Sequence, residues 1–588
     1  MTTTADKQIK GGSWLFEEPG ETFTPEKLTE EHRLMAQTTA EFVEAEIVPA
    51  LPKLEAKDWA LSRALLKKCG ELGLLGLGAP EQYGGLDLDK VSSLVVVERI
   101  ARAASFATTF GGQANLSVLP IALFGTEAQK ANYLPRLITG EIVGAYALSE
   151  SGSGSDALAA KTRATRQADG SWRLSGEKMW ISNGGFADLF IVFAKVDGEQ
   201  FTAFLVERAF GGLSSGKEEH KMGLHGSSTT TILLQDVPVP AGNVLGEIGR
   251  GHKVALNTLN YGRFSLGAMC AGGSRGAIGD AAKYAASRKQ FGQPIAAFGA
   301  IKHKLGEMVA RTYAAESLAY RTAGLIDAAI AQSGHDGASM ARSFEEFAIE
   351  ASICKVMGTE TLDFVLDENV QIHGGNGFVS DYMAERYFRD ARVNRIFEGT
   401  NEINRMLIPG MLVRRGLKGE LPLIAAAKRL QDEVLSPSIQ AAADGDAPLA
   451  DEARLVASFK KVALMVIGTA LQTFGDRLES EQEVLSFAAD LLIDTYAAES
   501  AVARAAAAVQ QRHPLAGLHE AAARAFVAEA AGRVEAAAKS ALAATAEGDT
   551  LRTLLVALRR VLKPSPVNVV RLRRQLAEAV TERGYIFN

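Results

Sequence analysis

Arg395-Ile396-Phe397-Glu398-Gly399-Thr400-Asn401-Glu402 sets one carboxylate between an aromatic residue and a glycine, in a segment that otherwise reads as apolar and buried. A buried carboxyl resists ionising because its charged form loses hydration, and this turns a weak base into one poised near neutral pH. Gly399 lets another molecule approach the backbone closely. Arg392 and Arg395 supply the competing reading, a carboxylate held in a structural ion pair.

Four further segments carry chemistry-bearing residues. Ser149-Glu150-Ser151-Gly152-Ser153-Gly154-Ser155-Asp156 exposes backbone N–H groups and hydroxyls that suit a planar cofactor or a phosphate. Its Gly152-x-Gly154 spacing imitates a dinucleotide fingerprint, but no βαβ context follows, and an ordinary surface turn remains the rival. In Lys178-Met179-Trp180-Ile181-Ser182-Asn183 a tryptophan and a hydroxyl two positions apart share one face of a strand, so an indole wall is weighed against a core tryptophan. Arg288-Lys289-Gln290-Phe291-Gly292 offers a guanidinium that could clamp an oxyanion, or a surface arginine only. Gln371-Ile372-His373-Gly374-Gly375-Asn376-Gly377 is a second glycine cluster, in which His373 reads as a satisfied structural histidine rather than a ligand. No histidine or cysteine pair has zinc spacing, and there is no Gly-x-Ser-x-Gly elbow.

The elements that must position these segments change texture along the chain. Up to about residue 145 the pattern is helical, with Glu31 to Val48 and Leu61 to Leu77 as candidate helices. From 146 to 250 short runs rich in β-branched and aromatic residues appear, at Leu189 to Ala194, Phe201 to Val206 and Thr229 to Leu234. Trp172-Arg173-Leu174 and Lys178 to Ile181 flank Ser175-Gly176-Glu177 and read as a hairpin. Helical texture returns over 251–415; 416–448 reads as linker, and 449–588 as alanine-rich helix, with Val484, Phe487, Ala488, Leu491 and Leu492 on one face. The expected fold is α+β and mainly α: an N-terminal helical domain (24–145), a β-barrel-like middle domain (146–250), a four-helix bundle (251–415) and an extra helical domain at the C-terminus.

At 588 residues, two to four domains are expected. The net charge of -6 is spread evenly with no basic stripe, which argues against nucleic acid. Cys69, Cys270 and Cys354 lie far apart in apolar surroundings and suit buried thiols in a reducing compartment. No uninterrupted apolar run reaches ~18 residues, and Met1 to Asp6 resembles no leader, so a cytoplasmic protein is expected, with peripheral membrane contact left open.

In this order the segments resemble the acyl-CoA dehydrogenase family, over roughly residues 30–415. The resemblance is carried by Tyr146-Ala147-Leu148-Ser149-Glu150, Gly154-Ser155-Asp156, Trp180-Ile181-Ser182-Asn183-Gly184, Arg288-x-x-Phe291-Gly292, Gln371-Ile372-x-Gly374-Gly375-x-Gly377 and Glu398-Gly399-Thr400-Asn401. The helical tail makes the chain most similar to the very-long-chain branch. The resemblance implies that Glu398 removes the α-proton of an acyl-CoA thioester while the β-hydrogen leaves, with its electron pair, to FAD. It implies FAD contacts at Tyr146, Leu148, Ser149, Gly154, Ser155, Trp180 and Ser182, with Thr400 and Glu402 on the cofactor side. Arg288, Phe291, Gln371 and Gly375 would reach the flavin of a neighbouring subunit in a homodimer or larger homo-oligomer. Ser155, Tyr261, Arg263 and Gly399 would border the substrate. Branches with the base on another helix carry it where this chain has Gly262, which cannot serve. Small residues at Ala107 and Gly111 imply a deep acyl channel and a long-chain substrate in β-oxidation. Electron-transferring flavoprotein is the expected acceptor. An oxygen-using acyl-CoA oxidase and a non-catalytic assembly protein are the rival readings.

Overall fold

The computed structural model describes residues 9–435 and 447–587. Met1 to Asp6, and most of the Ala441-to-Pro448 stretch read as linker, fall outside them.

Helices begin the chain. Glu30–Phe42 starts at a reciprocal cap between Thr29 and His32, which satisfies two backbone donors. Lys90–Ile100 is capped by the Asp89 carboxylate and is buried nearly all round. Ala104–Gln113 follows it directly. The expected helix from Leu61 to Leu77 spans Trp59–Glu71, because Gly73 takes a left-handed backbone that ends it.

One mixed sheet fills the middle of the chain: β1 (Gly144–Ala147), β2 (Arg163–Arg166), β3 (Trp172–Ser182), β4 (Leu189–Val196), β5 (Gln200–Glu207), β6 (Leu213–Glu218), β7 (Thr229–Val239) and β8 (Val244–Leu245). Its order is β6-β7-β3-β2-β4-β5-β8, and β1 lies parallel to β4. The hairpin expected at Ser175-Gly176-Glu177 is absent. Those residues run through the continuous strand β3, which slips register against β7 once between Leu174 and Gly176 and again between Lys178 and Ile181. A Cβ on Gly176 would lie 2.6 Å from the Thr162 hydroxyl, so the glycine admits a close crossing of backbones rather than a turn.

The long helix Gly251–Ser287 forms the spine of the second half. It packs on Ala348–His373, Gly299–Ser333 and Lys90–Ile100, which ties the N-terminal helices to the bundle. Asn401–Leu417 closes the bundle. Residues 416–448, read as linker, contain a helix, Leu423–Leu435: Leu423, Ala426 and Leu430 recur at helical spacing and are buried, a pattern masked by the surrounding alanines. Ala450–Phe474, Gln482–Gln510 and Ala516–Thr545 then pack together, and Gln482–Gln510 also lies on Gly299–Ser333 and Asn401–Leu417. Among the described residues one helical stretch, Ala450–Ser480, is long and apolar enough to cross a membrane by composition; its Val462, Ala463, Val466 and Ile467 are buried against neighbouring helices.

A chain of buried charges joins this last group to the rest. Arg504 pairs with Glu26 and with Glu316 at 2.6 Å each, Glu316 with Arg275 at 2.9 Å, and Arg275 with Glu98 at 3.1 Å. Both arginines and both interior glutamates are almost wholly removed from solvent.

Candidate functional site

Glu398 sits on a turn just before the helix Asn401–Leu417, where the Thr400 hydroxyl accepts from the Ile403 amide. Glu398 and Gly399 both take left-handed backbone conformations, at φ of 57° and 76°. For glutamate this is a strained state that its surroundings must enforce. Three side chains do so through the carbonyls. The Arg263 guanidinium donates to the Glu398 carbonyl at 3.3 Å, the Lys355 ammonium donates to the Gly399 carbonyl at 2.8 Å, and the Asn404 amide donates to the Gly399 and Thr400 carbonyls at 2.9 Å each. Lys355 is wholly buried and also bonds Asn401 at 2.6 Å.

The carboxyl itself is treated differently. Its Oε2 is buried with no hydrogen-bond partner. Neither expected ion-pair partner reaches it, because Arg395 pairs with Asp363 at 3.1 Å and Arg392 faces solvent. Burial pushes the Glu398 carboxyl up to about 7, against the pull of Arg263 and Lys355. The group lies flat against the long helix at Gly262, where a Cβ would come within 2.7 Å of Oε2. Gly262 therefore does more than lack a base: it makes the space in which Glu398 rests. Among the described residues the Glu398 N–H has no protein acceptor.

Glu398 and Ser182 line one cavity of about 660 Å³, counting its open mouth, together with Gly111, Gly112, Gly262 and Leu266. Ala107 is on its wall, and no atom lies within 4 Å of where a Cβ on Gly111 would be. Tyr146, on β1, has a buried hydroxyl without a partner; burial and the nearby Glu398 raise it well above its usual range.

Beside the cavity lies a polar and aromatic ledge. Trp180 has a left-handed backbone, φ 62°, at the second register slip of β3, and the residue is 59% exposed. A β-bulge of this kind re-aims a side chain out of the sheet. The Met179 amide bonds the Ser149 carbonyl at 2.9 Å, which fixes the loop holding Leu148 and Ser149 to the same edge. The buried Lys178 ammonium bonds the Leu148 carbonyl at 3.1 Å and Glu150 at 2.6 Å, and Glu150 in turn accepts from the Lys161 and Thr162 amides. Gly154 and Ser155 lie exposed on that loop, and a Cβ on Gly152 or Gly154 would meet nothing within 4 Å.

A second group lies at the far end of the long helix. Arg288 and Phe291 are on the exposed segment around the short hairpin Lys289–Gln290 and Gln293–Pro294, and Phe291 is 94% exposed. Gln371 and Gly375 are exposed at the end of Ala348–His373. Tyr284 stacks on His373 at 4.2 Å and bonds Asn376 at 3.0 Å, which holds the two segments together. His373 is buried and bonds its own helix at Asn369, so it acts as structure. Phe378, Val379 and Tyr382 add exposed apolar area nearby.

Glu402 is exposed on the first turn after Glu398. Tyr261 and Arg263, expected to border the substrate, are buried. Tyr261 packs on Phe344 and Phe264, and Arg263 lies under the Glu398 turn. Of that trio only Gly262 faces the cavity. Lys355 and Lys178 escaped the sequence reading. The available signal was one lysine inside an apolar stretch: Ile353-Cys354-Lys355-Val356-Met357 in a helix, and Lys178-Met179-Trp180-Ile181 in a strand.

Four family profiles together match most of the chain. They are described as the acyl-CoA dehydrogenase N-terminal domain (29–141), middle domain (145–237) and, twice, C-terminal domain (249–411 and 458–560). A probable acyl-CoA dehydrogenase of Bacillus subtilis is 46% identical and covers 98% of both chains. The human mitochondrial very long-chain specific acyl-CoA dehydrogenase is 42% identical over 58% of this chain and 51% of its own length. The crystal structure of an acyl-CoA dehydrogenase complexed with FAD from Bacillus anthracis superposes with a TM-score of 0.96, at 47% identity, over 98% of this chain and all of that one.

Proposed function

The chain belongs to the acyl-CoA dehydrogenase family and is an FAD-dependent oxidoreductase, and we propose that it introduces the α,β double bond of long-chain fatty acyl-CoA thioesters in β-oxidation, with Glu398 as the base. One observation carries this reading: a carboxyl whose Oε2 is buried and unpartnered, on a turn pinned through its carbonyls, facing a largely apolar cavity.

The ledge fits the cofactor. Trp180 offers an exposed indole for one face of a ring system, Ser149 and Ser182 offer hydroxyls at its edge, and the side-chain-free loop at Gly152 and Gly154 admits close approach. Tyr146, Leu148, Ser155, Thr400 and Glu402 complete the proposed contacts. When bound, FAD supplies the acceptor for the β-hydrogen and its electron pair.

The rest is done by this chain. The thioester carbonyl lies against the turn, and the unengaged Glu398 N–H donates to its oxygen, which acidifies the α-carbon as an oxyanion donor does. Glu398 Oε2 then takes the α-proton. A base near pH 7 is matched to that transfer, because it is ionised at neutral pH yet holds the proton it gains. Gly399 has no side chain to obstruct the thioester. Lys355 and Arg263 hold the turn, so the carboxyl need not reorient during reaction.

The exposed group at Arg288, Phe291, Gln371 and Gly375 completes the cofactor site of a second copy, which makes a homodimer the smallest competent unit. Electron-transferring flavoprotein is the proposed acceptor, by family resemblance. The deciding experiment is anaerobic titration of the yellow holoenzyme with thioesters from C4 to C18. Bleaching greatest at C12 to C16 and absent in Glu398→Gln is expected; equal bleaching in that variant overturns the base assignment.

A further inference from the structure

Lys178 has no part in the chemistry assigned above, yet it is a wholly buried ammonium. Its side chain leaves β3 and donates to two acceptors, the Glu150 carboxylate at 2.6 Å and the Leu148 carbonyl at 3.1 Å. Glu150 is the knot of its own loop. It accepts from the Lys161 amide at 2.6 Å, the Thr162 amide at 3.1 Å and the Thr162 hydroxyl at 2.6 Å, and its backbone exchanges two hydrogen bonds with Ser153. One carboxylate thus joins the start of the loop to its end. Burial alone would raise the Glu150 carboxyl, but bonds from Lys178, Thr162 and the Lys161 amide hold it below its ordinary range. A buried pair is costly to desolvate and is weak evidence for stability. Neutral hydrogen bonds would close the loop as well, so the cation has a use beyond closure.

The second acceptor supplies that use. The Leu148–Ser149 peptide is trans, so its N–H points opposite to its C=O. The carbonyl receives the Lys178 ammonium. The Ser149 N–H therefore points away from Lys178, and among the described residues it has no protein acceptor. The next peptide is fixed from the same strand, since the Met179 amide donates to the Ser149 carbonyl at 2.9 Å. Linked hydrogen-bonding groups polarise one another in a low-dielectric interior. A cation on the carbonyl thus makes the amide at the other end of that peptide a stronger donor. Glu150 opposes this only in part, because Lys161 and Thr162 donate to it as well.

We propose that Lys178 is a positioning residue acting through the Leu148–Ser149 peptide: its charge strengthens the Ser149 N–H as a donor to the flavin edge and so raises the reduction potential of the bound cofactor. Hydrogen bonds and charge at the ring edge tune a flavin's electronics. The ring gains electron density on reduction, so a polarised donor holds the reduced form more tightly than the oxidised one. A charge-assisted hydrogen bond is roughly twice as strong as a neutral one, and about a tenfold preference for the reduced form follows. This inference rests on the placement of the flavin edge at Ser149 and is independent of the role given to Glu398.

Lys178→Met alone would strand the Glu150 carboxylate, so the test exchanges both partners. Lys178→Met combined with Glu150→Gln removes the two charges and keeps an acceptor for the Lys161 and Thr162 amides. Thr162→Val is the control: it loosens the same knot and spares the cation. The two-electron potential of each holoenzyme is measured by equilibration with a reference dye. Where a variant holds cofactor weakly, the ratio of its dissociation constants for oxidised and reduced FAD gives the same shift by linkage. The double variant is expected to lose about tenfold in its preference for the reduced form, a fall of ~30 mV, and Thr162→Val to keep the parent's potential. An equal fall in Thr162→Val assigns the effect to loop geometry and overturns the proposal. An unshifted potential in the double variant overturns it too: if both forms then bind more weakly, Lys178 is a clamp on the loop only, and if neither does, the flavin edge does not lie at Ser149. Turnover by Glu398→Gln reads the base assignment separately.

Discussion

The protein buries acidic groups in two contrasting ways. In the chain from Glu26 through Arg504, Glu316 and Arg275 to Glu98, each charge meets an opposite charge within about 3 Å. At Glu398 the nearest cations, Arg263 and Lys355, bond the backbone of the turn and leave Oε2 without a partner. Full pairing makes a charge structural, since removing one partner strands the others in a medium that cannot solvate them. Withheld pairing leaves a group able to change its protonation state. The two arrangements can be told apart by what their removal does.

The largest effect is expected at Glu398. Glu398→Gln lowers kcat at least 10³-fold, within the range of a lost general base, and leaves the fold intact. Folding raises this carboxyl from 4.5 to about 7, so the folded state holds the proton more tightly and loses stability as pH rises through that window. The variant is therefore at least as stable as the parent at pH 8, which thermal melts check. Arg504→Met is the converse. It strands Glu26 and Glu316 and costs about 3–5 kcal/mol, seen as a lower urea midpoint, while kcat per folded molecule stays within about twofold of the parent.

Gly262→Ala sharpens the contrast from the other side. Its methyl would lie 2.7 Å from Oε2, so the carboxyl must move; kcat is expected to drop about 10- to 100-fold for a displacement on the order of 1 Å, with cofactor content unchanged. Lys355→Met gives the smallest and most specific change. Lys355 is drawn down by burial to about 8, so kcat/KM in the parent rises with pH through about 7 as Glu398 ionises and falls above about 8 as Lys355 loses its charge. The variant loses the alkaline limb, and its acid limb shifts upward because a cation that favoured the carboxylate is gone. An unchanged profile would show that Lys355 does not hold the turn.

Some of this was legible in the residues alone. The helical, β and helical textures followed from spacing, and Glu398 was noticed between Phe397 and Gly399, but its role as base came from the family resemblance. The competing ion pair with Arg392 or Arg395 was equally legible and does not form, since Asp363, more than thirty residues earlier, takes Arg395. That choice is made by packing between distant segments, which local sequence does not encode. The same holds for Gly262: its absence of a side chain was visible, but that Glu398 fills the vacated space was not. The Ser175-Gly176-Glu177 hairpin failed because glycine marks a close approach as readily as a turn. The helix Leu423–Leu435 was missed because alanine blurs the line between its buried and exposed faces.

The ion chain also bears on how the protein is made. Glu26 and Arg504 are 478 positions apart. At a translation rate of ~5–20 residues per second, the Glu26 carboxylate waits roughly half a minute to a minute and a half for the guanidinium that will neutralise it. Through that interval Glu26 lacks the cation that pairs with it in the folded chain.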